Sequence, residues 1–388
     1  MRLASIDVLR SIAIVIMVVV HFLENLSGVR EWSPDGFGAP VFAFLSGISA
    51  RLWAAARTQR GDSSAQITRV LVRRGLFLFG LGLAFNFFVW LPEDFWIWDV
   101  LTFLGTASLL LAVIRQMPTS VAILFAALAM IVSPAMQQLA GYPEWWANGY
   151  YEPGETLAEI LLGFLVVGYF PLFPWIALPV TGFLVAVPFV GNDRSRSSSQ
   201  APLGRYLLLP AAILAAISGS LLLAGTWFPQ TLLQWTMFPA SIPYLTGMTS
   251  TALLLLYVCH RWLDQPAGKL PADKLPANNR TASFASLLLR VATLFSRYSL
   301  TLYLLHHIVH IYPLWIAGLL VQGDPTVFWS QSLHWSLSLI LAVIFLVAAV
   351  PLVFTLERRR TPTIETVMRW LCDDNNPEAS PGNPGRGL

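Results

Sequence analysis

Long apolar runs broken by short polar clusters set the pattern of this chain. Leu76–Leu91, Ser120–Ser133, Tyr206–Ala224 and Ser336–Phe354 hold almost no charge and approach the ~20 apolar residues that a spanning helix needs. The runs are continuous, without the period-two alternation that lipid-facing strands of a β-barrel require. Spans are predicted at about 4–26, 38–56, 70–90, 98–115, 119–137, 174–190, 206–226, 242–262, 298–320 and 333–356. An eleventh apolar piece, Thr156–Phe170, would make a helix of only about 22 Å against a hydrocarbon core of about 30 Å. It reads as interfacial or re-entrant. The predicted fold is all-α, a polytopic integral membrane bundle of about ten transmembrane helices.

Composition agrees. Of 388 residues, 56% are hydrophobic and only 12% charged, with mean hydropathy +0.63. A soluble domain would carry about twice that charge fraction. The first run is too long for a cleavable signal peptide, and no small-residue cleavage site follows it, so it reads as an uncleaved first span. Two cysteines, Cys259 and Cys372, allow neither a disulfide framework nor a CxxC metal site.

The distribution of charge says more than the net +3. Arg51, Arg57, Arg60, Arg69, Arg73 and Arg74 surround the second connection, whereas Asp35, Glu93, Asp94, Glu144, Glu152 and Glu155 occupy the facing loops. The positive-inside rule places the arginine loop, and with it the N-terminus, in the cytoplasm. Ten crossings also bring Arg194, Arg196, Arg205, the connection Arg261–Arg297 and the tail from Arg358 to that side. Eleven would move all of them out. Asn192–Pro202 and Asp264–Arg280 read as flexible linkers, and the tail from about Asp373 as disordered. The simplest organisation is one membrane domain over 1–356 and a cytoplasmic tail over 357–388.

Several ionisable groups fall inside spans. His21 lies about 22 Å along the first helix from Ile6, followed by Glu24, Asn25 and a polar loop. It is either a boundary residue bonded to a neighbouring span or a proton-transfer group, for which imidazole is suited. Asp7 and Arg10 share a face and can pair as an anchor. Arg69, Arg73 and Arg74 are either topogenic charge or a phosphate cradle, since guanidinium binds phosphate bidentately. In SLTLYLLHHIVHIYP (Ser299–Pro313), His306 and His310 share a face and His307 should point elsewhere. Neither an HExxH pattern nor a carboxylate accompanies them, so no metal is expected and hydrogen bonding along an internal channel is favoured. Pro171, Pro174 and Pro179 crowd an aromatic span entry after Pro153. Trp145, Trp146, Tyr150, Tyr151 and Trp175 are there either as interfacial belt residues or as a sugar-stacking floor.

Six segments occur in one order across the chain: SIDVLRSIAIVIMVVVHF, GFGAPVFAFLSGISA, RVLVRRGLFLFGLGL, WDVLTFLGTASLLLAV, YFPLFPWIALPVTGF and SRYSLTLYLLHH. Their succession over roughly residues 2–310 resembles the bacterial relatives of the heparan-α-glucosaminide N-acetyltransferases, within the transmembrane acyltransferase superfamily. That resemblance implies transfer of an acyl group, acetyl first, from cytoplasmic acyl-CoA to a sugar or glycan beyond the bacterial inner membrane. It puts His21 where sugar O-acyltransferases of the superfamily carry a catalytic histidine. The lysosomal enzyme has asparagine there and its histidine in the following loop, where this chain has Trp32. Both amine and hydroxyl acceptors therefore stay open.

Under this reading His21 is the base that takes the acceptor's proton. Asp99 orients it, with Asp35 and Glu24 as rivals. Arg69, Arg73 and Arg74 hold the CoA phosphates, with His306 and His310 further along the donor passage. Glu24 and Trp175 face the acceptor. Membrane lipid and a small-molecule or glycan acceptor are the implied partners; a homodimer is allowed and nucleic acid is not expected. The competing reading is a proton-coupled transporter or flippase for a glycan or glycolipid, which a broken-helix site repeated in two halves would favour.

Overall fold

A computed structural model of the chain describes residues 3–29, 36–190, 201–227, 233–264 and 279–373. Most of the predicted linkers Asn192–Pro202 and Asp264–Arg280 and of the predicted tail from Asp373 lies outside the described residues, whereas Ala201–Pro202 and Asn279–Arg280 fall within helices. In chain order the principal helices are α1 (Ala4–Ser27), α2 (Gly38–Gln59), α3 (Ser64–Phe88), α4 (Val100–Ile114), α5 (Thr119–Leu139) and α6 (Leu157–Leu162). They continue with α7 (Ala177–Val185), α8 (Ala201–Trp227), α9 (Ile242–Cys259), α10 (Asn279–Arg297), α11 (Ser299–Gln322), α12 (Trp335–Arg359) and α13 (Ile364–Cys372). Among the described residues there is no strand. Nine helical stretches there are long and apolar enough to cross a membrane, and α4 adds a shorter apolar helix. The protein is an all-α polytopic integral membrane bundle.

Two compact units divide the chain, one from Met1–Val41 with Leu254–Glu365, the other from Phe42–Leu253 with Thr366–Leu388. In the first, α1 packs against α10, α11 and α12. Ile6, Leu9, Ala13, Ile14, Val18 and Phe22 form its buried stripe at three- and four-residue spacing, while Ile12 and Val15 stay exposed. Helix α10 falls within the long connection Arg261–Arg297 that the sequence places between spans. Its polar, arginine-flanked composition hid a strongly amphipathic helix, and its register on α1 is fixed by side chains. Ser11 Oγ–H donates to the Ala292 carbonyl at 2.6 Å. Arg10 donates to Ser296 Oγ at 3.1 Å, and that hydroxyl donates to Asp7 at 2.6 Å. Asp7 and Arg10, expected to anchor the span by pairing, thus meet through a third residue.

The far end of α1 is closed differently. Gly28 ends the helix at φ 67°, and a Cβ there would collide with the Ser330 carbonyl oxygen. The close approach lets the N–H groups of Ser330, Ser332 and Leu333 bond the Asn25 and Leu26 carbonyls at 2.8, 3.0 and 2.9 Å. These are carbonyls a helix end would otherwise leave unpaired.

In the second unit, Gly75, Gly82 and Gly105 leave no room for a Cβ between α3 and α4, and Gly47 and Gly182 do the same for α2 and α7. Small residues let helix backbones approach where dispersion, not the hydrophobic effect, drives packing. The Thr156–Phe170 piece forms α6 and one π-helical turn, Gly163–Val167. The backbone then breaks before helix resumes at Leu172. Broken backbone in an apolar region needs partners. Here Tyr169 and Phe170 donate to the carbonyls of Ile97 and Trp98, at 3.2 and 3.0 Å.

Candidate functional site

The histidines of α11 meet α1 within the first unit. His21 Nδ1 lies 2.8 Å from His306 Nε2, and one turn on Asn25 Nδ2 lies 2.8 Å from His310 Nε2. A backbone carbonyl only accepts hydrogen bonds, which decides which nitrogen carries the proton. His306 Nδ1 faces the Leu302 carbonyl at 3.1 Å, His307 Nδ1 that of Tyr303 at 3.0 Å, and His310 Nδ1 that of His306 at 2.5 Å. In each neutral ring Nδ1 is therefore the donor and Nε2 the acceptor. His306 Nε2 must accept from His21 Nδ1–H, which leaves the lone pair of His21 on Nε2. The second pair obeys the same logic. Trp329 Nε1–H can only donate, so it meets Asn25 Oδ1 at 3.3 Å, and the Asn25 amide hydrogens face His310 Nε2. Every direction in the network is consistent.

His307 departs from its expected orientation. Its ring centroid lies 4.6 Å from that of His21 and 4.0 Å from that of His306. Neighbouring residues on a helix diverge by about 100°, so a partner helix seated between their directions is reached by both. His306, His307 and His310 are buried, whereas His21 keeps partial exposure.

The other predicted site residues have varied surroundings. Glu24 is half-buried one turn beyond His21, and Asp35 lies outside the described residues. Asp99, in the second unit, is the N-cap of α4 and accepts from the N–H groups of Leu101 and Thr102 at 2.8 and 3.2 Å. The side chain bonded to the His21 ring is His306. Trp175 is 1% exposed among Phe103, Phe170 and Tyr244, so it serves the core. Trp146 stacks between Tyr142 and Phe238 at 5.7 and 5.1 Å, which is also packing.

Of the three arginines, Arg69 and Arg73 are exposed and Arg74 is half-buried. Arg74 lies over the Trp53 ring at 4.5 Å and forks onto the Asp373 carboxylate at 2.7 and 2.8 Å. Arg73 reaches the Cys372 carbonyl at 3.5 Å. Asn25 and Trp329 have no role assigned from sequence, and His307 is expected there to point away from the shared face. Asn25, four residues after His21 on the same face, was legible by spacing; Trp329 and the approach of His307 to His21 required the fold.

The model of the family described as heparan-alpha-glucosaminide N-acetyltransferase, catalytic, matches residues 2–212. No curated protein matches the chain. His21 and the arginines lie inside the matched residues, and the α11 histidines lie beyond them. With more than half its length matched, the chain belongs to the heparan-alpha-glucosaminide N-acetyltransferase catalytic family, a family of membrane acetyltransferases.

Proposed function

We propose that the protein moves an acyl group, acetyl first, from cytoplasmic acyl-CoA to an amine or hydroxyl of a sugar or glycan on the far side of a bacterial inner membrane. The observation that carries this reading is the tautomer of His21. With Nδ1–H held by His306, the lone pair of this imidazole, placed within a span, lies on Nε2. That is what a general base requires. As the acceptor's oxygen or nitrogen attacks the thioester carbonyl, His21 Nε2 takes its proton. The carbon–sulfur bond breaks, and the proton passes to the departing CoA sulfur. His306 acts as a positioning residue, holding the ring as the third member of a triad does. Arg69, Arg73 and Arg74 supply guanidinium groups suited to the CoA phosphates.

Two measurements on purified protein test this. Acyl-CoA should bind, and radiolabelled acetyl should pass to an amino-sugar or glycan acceptor in wild type but not in His21→Asn. A protein that moves glycan across proteoliposomes without binding acyl-CoA would be a transporter instead.

A further inference from the structure

We infer that His21, His306 and His307 form a binding site for a divalent transition-metal ion of the zinc class, whose occupancy would block the base action proposed for His21 and so hold the protein inactive. One ring nitrogen from each can be chosen so that all three lie within 4.8 Å of one another. Zinc–imidazole bonds of about 2.0–2.1 Å in a tetrahedron place nitrogens about 3.4 Å apart. The site therefore closes by side-chain shifts of about an ångström.

The surroundings are also those of a metal site. Ligating histidines almost always donate their other ring N–H to a carbonyl or carboxylate, which fixes ring and tautomer. His306 and His307 already do so to Leu302 and Tyr303. An all-nitrogen donor set excludes magnesium and calcium, which take oxygen, and suits zinc, copper or nickel. Three ligands leave a fourth position open, as in catalytic zinc centres. The ligands are neutral, so an anionic fourth ligand such as hydroxide or thiolate would offset the charge brought into an apolar surrounding.

Sequence spacing pointed away from this. The α11 histidines four apart are not the set; the set is an adjacent pair plus one residue 285 positions away. Metal binding and base action by His21 exclude each other. An ion on Nδ1 requires the ring proton to move to Nε2, and an ion on Nε2 takes the base's lone pair directly.

The test uses full-length, tag-free protein titrated with Zn²⁺, bound metal being counted by elemental mass spectrometry. Co²⁺ serves as a spectroscopic stand-in whose visible absorption reports tetrahedral nitrogen ligation. About one ion per chain is expected in wild type and in His310→Gln. Affinity should fall at least about tenfold in His307→Gln, since even outer-shell changes cost that much. Should His307→Gln fail to fold, His21→Asn must show the same loss. Substoichiometric binding in wild type, octahedral cobalt absorption, or full affinity in both variants would overturn the inference.

Discussion

At the scale of single residues, the protonation pattern of His21 follows from carbonyl oxygens that can only accept. His21→Asn keeps a hydrogen bond to His306 but has no basic nitrogen. It should lose transfer by about 100- to 10,000-fold, the usual worth of a general base, with acyl-CoA affinity unchanged. Near wild-type transfer by a folded Asn variant would return His21 to a boundary role. A second residue-scale outcome concerns Asp94, outside the spans. Burial, and next the charge of Glu93, holds its carboxyl up at about 6. A carboxyl raised in the folded state favours folding only while protonated. Its cost is absent below the unfolded value near 4 and complete above about 6. Melting temperature should therefore fall between pH 4 and 6 more steeply in wild type than in Asp94→Asn. Parallel profiles would show that Asp94 ionises freely.

At the scale of elements, the arginine end of α3 is tied to the chain after α13. Asp373 grips Arg74 as a phosphate would, since both anions fit the guanidinium fork. If Arg74 belongs to the donor site, carboxylate and phosphate compete. Asp373→Asn should then tighten acyl-CoA binding several-fold in a calorimetric titration. Replacing Arg69, Arg73 and Arg74 together by Gln should weaken it, each charge-assisted contact being worth about 1.5–3 kcal/mol. Insertion should survive, because Arg51, Arg57 and Arg60 remain to orient the loop. CoA affinity unmoved in both variants would make these arginines topogenic only.

At the scale of the whole molecule, pairing direction bears on topology. His21 meets His306 and Asn25 meets His310, so α1 and α11 run parallel and cross in the same sense. That parity requires an odd number of crossings between them. Seven are obtained when α4 crosses and Thr156–Phe170 does not cross by itself, the reading the arginine distribution also favours. Reporter fusions after Arg60, Gly191, Lys274 and Arg360 should read cytoplasmic, and those after Pro92 and Gly149 outside. A Gly191 fusion reading outside would mean that Thr156–Phe170 crosses.

What the sequence determined by itself is what depends on local composition. Apolar runs of spanning length cannot be soluble, and arginines cluster where membrane insertion leaves them, so helices and their order were legible. The position of His21 within a span, and of Asn25 on the same face, followed from helical periodicity. The amphipathic α10 is periodic in the same way, but it is too polar to stand out among the spanning runs, and only the structure shows which part of it packs on α1. The α11 histidines show the limit most clearly. Spacing paired His306 with His310 and turned His307 away, yet all three take their roles from what α1 presents to them. Which ring nitrogen carries a proton, and which three imidazoles share a space, depend on contacts between segments nearly three hundred residues apart. Only the tertiary structure decides those.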